Sequence, residues 1–167
     1  IPGGPSLELV WVEPGTFTMG TTADQEQLLR SQGVWFSSNE REMPTHAVTF
    51  TRGFYLAKHE VTQELWQSTL GTNPWVGMPD AQADPRRPAS WISWSETQQL
   101  IAELNRLTGT WEFSLPTESQ WEYACRAGSQ DLWHFGNEDD ALADYAWYYS
   151  NTWHVGLEAP QPVGTKL

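Results

Sequence analysis

The chain has 167 residues, 39% of them hydrophobic, and carries 21 acidic against 9 basic side chains for a formal net charge of -12. That length suits one domain or most of one. The charge argues against nucleic acid and against anionic membrane surfaces as partners, and no apolar stretch approaches the length of a membrane span. Eleven tryptophans are far above ordinary usage; each can bury a large apolar area, so most are expected in the core and the remainder along a groove.

Residues 1–6 read as a linker, and the domain proper as 7–167. No charged, apolar signal peptide is present, and the opening Ile1-Pro2-Gly3-Gly4-Pro5 suggests a processed or trimmed product. Leu7 to Val12 alternates, with Leu7, Leu9 and Trp11 on one face. Glu13-Pro14-Gly15 is a turn signal and Thr16 to Met19 alternates again, so a β-hairpin is expected here. Thr21 to Pro44 is polar, with room for a short helix over Asp24 to Arg30 that turns Leu28 and Leu29 inward. Val48 and Phe50 then alternate in a strand.

Thr62 caps a helix that runs to about Leu70, with Leu65, Trp66 and Leu70 inward and Gly71 as the stop. Gly71 to Ala89 is a long loop rich in Pro, Gly and Asp; such a loop is functional or packs on the body. Ser93 and Glu96 form a capping box. Behind them Thr97, Leu100, Ile101, Leu104 and Leu107 make one helical stripe that ends at Gly109. Trp111-Glu112-Phe113 reads as a short strand.

Leu115-Pro116-Thr117-Glu118-Ser119-Gln120-Trp121-Glu122-Tyr123-Ala124-Cys125-Arg126-Ala127-Gly128 organises the rest. Pro116 turns Leu115 away from helix. Thr117 and Gln120 make a capping box, and Glu118 suits the helix N-terminus. Trp121 and Cys125, four apart, share a face that is expected to be largely buried. Gly128 supplies the stop. Beyond it the chain reads as loops, including the acidic run Glu138-Asp139-Asp140 and the aromatic run Tyr145 to Asn151. The acidic run is a solvated loop or a helix N-terminus, with calcium binding the alternative.

This stretch resembles the L-P-T-E-x-E-W-E-Y-A-x-R-x-G signature of the formylglycine-generating enzyme (sulfatase-modifying factor) family, with Ser114 in place of the usual leading Arg and Gln120 at the second acidic position. Other motifs follow in the family's order: Gly15-Thr16-Phe17-Thr18-Met19-Gly20, Glu42-Met43-Pro44-Thr45-His46-Ala47-Val48, Phe54-Tyr55-Leu56-Ala57-Lys58-His59-Glu60-Val61-Thr62, Pro88 to Trp94, and Pro162-Val163-Gly164. The resemblance implies an α+β fold related to C-type lectins, with little regular secondary structure, short antiparallel strands and two or three helices. Leu115, Pro116, Thr117, Glu118, Trp121, Glu122, Tyr123 and Cys125 are its signature positions here.

Complete relatives oxidise a substrate cysteine to formylglycine with copper and oxygen, and also bind calcium. The segments that carry the calcium-binding G-N-x-W-E-W motif, the paired copper-binding cysteines and the closing G-F-R have no counterpart in this sequence. Copper(I) wants soft thiolates, and Cys125 is the one cysteine. No cofactor and no catalysis are therefore expected from these 167 residues by themselves. In some relatives the cysteine at this place is structural, bridging to one near the G-F-R end; a plain buried thiol is the other reading. Trp147 stands where the family often has a calcium-binding Asn. His46, His59, His134 and His154 lie far apart without ligand spacing. The resemblance implies an extracytoplasmic location. It leaves two functions open: the scaffold portion of an oxidase, or a non-catalytic binding module. In either case a protein partner, or the family's C-terminal part, is expected against a surface bearing Trp133, Trp147 and Trp153.

Overall fold

The computed structural model describes residues 3–109 and 112–167. Trp111, the first residue of the strand expected there, lies outside the described residues; Glu112 and Phe113 are not in a strand. The fold is α+β. Strands β1 (Leu9–Val12), β2 (Gly15–Met19), β3 (His46–Phe50) and β4 (Phe54–Ala57) are all short, and helices α1 (Ala23–Ser31), α2 (Gln63–Leu70), α3 (Trp94–Thr108), α4 (Glu118–Arg126) and α5 (Leu142–Tyr145) carry most of the regular structure. No helix among the described residues is long and apolar enough to cross a membrane.

The expected hairpin does not form. β1 pairs with β4, and β2 pairs antiparallel with β3 in the register Gly15↔Phe50 through Met19↔His46. A two-residue loop closes a hairpin best in a primed turn, which needs a positive φ at its first position. Glu13 occupies that position, and neither it nor Pro14 has a positive φ. The chain turns a corner there instead, and β1 and β2 find separate partners.

The chain divides into two compact units, Ile1–Val10 with Ala57–Leu115 and Asp140–Leu167, and Trp11–Leu56 with Pro116–Asp139. In the first, the core is Trp66, Trp75, Leu100 and Leu104, flanked by Val61, Leu70, Ala81, Ala89, Ile92 and Phe113. α2 begins where Thr62 accepts from the Leu65 N–H, and ends at Gly71 in the left-handed region. Gln63 holds the long loop down by donating to the Gln82 carbonyl and accepting from the Asp84 N–H. That loop also delivers Trp75 to the core, so it packs on the body of this unit. α3 opens with the Ser93/Glu96 capping box, in which the Ser93 hydroxyl and backbone N–H hold the Glu96 carboxyl below its ordinary range.

In the second unit, α1 forms in full behind a Thr22/Gln25 capping box. Its buried residue is a polar one. Gln25 donates to the carbonyls of Gln130 and Asp131, while Leu28 and Leu29 are only half-buried. Phe17, Phe50, Phe54 and Tyr123 form an aromatic cluster with centroid separations of 5.1 to 6.4 Å. The expectation that most tryptophans fill the core is overturned. Of the ten described, only Trp66 and Trp75 are buried; Trp35 and Trp133 are half-buried and the other six are exposed, Trp94 at 71%.

Candidate functional site

The signature stretch folds as its local chemistry dictates. Thr117 Oγ1 accepts from the Gln120 N–H and the Gln120 side chain accepts from the Thr117 N–H, closing the capping box of α4. Two residues of positive φ follow it, Ala127 at 48° and the expected Gly128 at 86°. The face that turns inward is not the expected one, because Trp121 is 60% exposed and Cys125 is an exposed free thiol. Glu122, Tyr123 and Arg126 turn inward instead.

These three side chains recognise backbone from the start of the second unit. Glu122 Oε1 accepts from the Gly20 N–H at 2.9 Å, and Arg126 donates to the Gly20 carbonyl at 2.8 Å. The two side chains also pair with each other at 2.7 Å, so one ion pair grips both polar groups of one residue. Tyr123 donates its hydroxyl to the Glu13 carbonyl and lies against Gly15, where a β-carbon would stand 2.3 Å from the tyrosine oxygen. The acidic, aromatic and basic positions of the signature are thus read out by Gly15 and Gly20, the first and last residues of the strand motif. Spacing along one helix cannot reveal partners more than a hundred residues away. Trp121→Ala is accordingly expected to change stability by no more than about 0.5 kcal/mol in urea unfolding, as for an exposed side chain.

The other candidates fall in different units. Trp133 is in the second unit, stacked on Phe135 with centroids 5.8 Å apart. Trp147, 39% exposed, and Trp153, 48% exposed, belong to the first unit and line one open cleft of about 810 Å³. Helix α5 and two 3₁₀ turns, Tyr149–Asn151 and Trp153–Val155, position them. Asn151 shapes this segment by accepting from the Tyr148 N–H and donating to the Ala146 carbonyl. The Trp147 indole N–H donates to Thr165 Oγ1 at 3.0 Å, and the Lys166 ammonium sits 4.0 Å from its ring centre. Lys166 also donates to the Ala143 carbonyl.

Among the described residues no three His, Cys, Asp or Glu side chains gather as a metal site. Copper does not fit this residue set: Cys125 is the chain's single thiol, and it lies exposed on the outer side of α4. Calcium finds no gathered carboxylates among the described residues either, the Glu138-Asp139-Asp140 run being exposed at the approach to α5. None of the four histidines belongs to such a group; His154 packs its ring on Tyr149 at 4.8 Å.

The profile of the sulfatase-modifying factor enzyme 1-like domain matches residues 4–166. The chain belongs to this family. Among curated relatives of this sulfatase-modifying-factor domain, the chaperone protein LppX of Paenibacillus barcinonensis is 23% identical over 168 residues, taking in 80% of this chain and 57% of that protein. Among solved structures, PvdO from Pseudomonas aeruginosa superposes with a TM-score of 0.70 at 26% identity, over 95% of this chain and 62% of that one. Variable protein 1 of Treponema denticola reaches 0.63 at 22% identity, over 86% and 61%, and shares the fold. The chain thus spans about three fifths of the length of the relatives it matches.

Proposed function

We propose that this sulfatase-modifying-factor domain works outside the cytoplasm as a binding module, holding a polypeptide at the cleft lined by Trp147 and Trp153, and has no oxidase activity of its own. The observation that carries the reading is the cleft. It is open, about 810 Å³ in volume, and presents two exposed indoles on a segment braced by hydrogen bonds. Exposed aromatic surface of this kind marks binding sites. Support also comes from a relative at 23% identity whose name is that of a chaperone. A single thiol cannot supply the thiolate pair that copper-dependent oxidation requires.

Family membership favours a second reading, in which the whole protein oxidises a substrate cysteine and these residues are its scaffold. The apolar surface around Trp147 and Trp153 would then meet the family's C-terminal part or a partner chain. A paired-cysteine segment in the gene's full reading frame would favour this second reading, and mass spectrometry tests whether these residues oxidise anything by themselves. After incubation with copper(I), oxygen and a cysteine-containing sulfatase peptide, the peptide mass is expected to be unchanged. Loss of the thiol with formation of the aldehyde would overturn the binding-only reading.

A further inference from the structure

The cleft continues. A second hollow of about 380 Å³ shares His59, Glu60 and Val163 with it and extends past Glu8 and Glu64 to Arg86. The first unit thus carries an elongated groove, floored by Trp147, Trp153 and Leu157 at one end, which suits an extended chain better than a compact solute. Its charges are unevenly committed. Lys58 is paired with Glu8 at 3.0 Å, and Lys166 is drawn onto the Trp147 ring and the Ala143 carbonyl. Glu60, Glu64 and Glu158 line the groove with no ion-pair partner among the described residues, and with Glu8 they make four carboxylates against the three cations Lys58, Arg86 and Lys166. The whole chain adds a field of -12. That field repels a second copy of the chain and draws in cations.

We infer that the groove binds an extended, basic polypeptide segment of another protein, its apolar side chains resting on the indoles and its ammonium or guanidinium groups meeting Glu60 and Glu158. This rests on the binding-module reading and narrows it to one ligand class. The test uses the intact 167-residue chain and dye-labelled peptides of one length, alternating leucine with lysine, serine or glutamate, read by fluorescence anisotropy. Spermine serves as a free polycation competitor. The lysine peptide is expected to bind best and to weaken as salt rises. Glu60→Gln with Glu158→Gln, or Trp153→Ala alone, should each weaken it by about tenfold, since charge pairing and aromatic contact contribute comparably. All three positions are exposed, and circular dichroism checks that the variants keep the wild-type fold. Equal affinity for the lysine and serine peptides, with both lost in Trp153→Ala, would overturn the basic preference and leave the binding module standing. Full displacement by spermine, with no contribution from leucine, would overturn the polypeptide assignment. No binding of any peptide would overturn both readings.

Discussion

Gly20→Ala is expected to destabilise the chain by about 2–4 kcal/mol, more than its size suggests. Gly20 has φ 95°, a conformation that side chains rarely adopt, and its β-carbon would stand 2.2 Å from the Glu42 carbonyl oxygen. That neighbour is backbone, in a segment tied down twice by Thr21. The Thr21 N–H donates to the same carbonyl, and the Thr21 hydroxyl donates to the Glu42 carboxylate. Relief of the clash would also pull Gly20 out of the grip of Glu122 and Arg126. Gly71→Ala is the control, having a positive φ of 70° but open space around the new methyl; it should cost only the conformational part, about 1 kcal/mol. Urea midpoints for the two variants decide the matter. Equal losses would mean that the contact with Glu42 contributes nothing.

Trp66→Ala should cost about 3–5 kcal/mol, the range for emptying a large aromatic site in a core. Trp66 is 1% exposed and packs in the cluster with Trp75, Leu100 and Leu104. Its indole N–H donates to Thr72 Oγ1 at 3.0 Å, so truncation also leaves that hydroxyl without its donor. The cluster joins α2, α3 and the long loop, so its loss should broaden the unfolding transition of the whole first unit. A cost below that of Trp121→Ala would contradict the burial that separates the two residues.

What the sequence makes legible is what is decided locally. Thr62, Ser93 and Thr117 each sit one residue ahead of a helix whose first free N–H groups they satisfy, and Gly71 and Gly109 end α2 and α3, so those boundaries can be read within a few residues. The inward stripe of α3 is legible for the same reason, since Leu100 and Leu104 repeat at the helical period. Long-range choices are not legible. Leu9, Val10, Phe17 and Met19 fit a hairpin, but pairing is settled by the backbone available at Glu13 and Pro14. On α4 both faces look plausible: Trp121 and Cys125 are the more apolar pair, yet the inward face is set by the Gly20 peptide and the Glu13 carbonyl, which only an ion pair and a phenol can satisfy. The cleft is the least legible feature, because the loops that build it from Tyr145 onward have no periodicity. Trp147 and Trp153 stand out there only as large residues without a core to enter.

The clamp of Arg126 and Glu122 on Gly20 has a consequence for synthesis. Its two sides are 106 residues apart in the chain. A ribosome adding residues at ordinary rates makes Arg126 about 5–20 s after Gly20. During that interval β2 and β3 can pair, but the Gly20 peptide is unsatisfied and the aromatic cluster lacks Tyr123. The nascent amino-terminal segment therefore waits with Phe17 and Phe50 uncovered, a state that chaperones and proteases recognise, until α4 emerges and closes the unit.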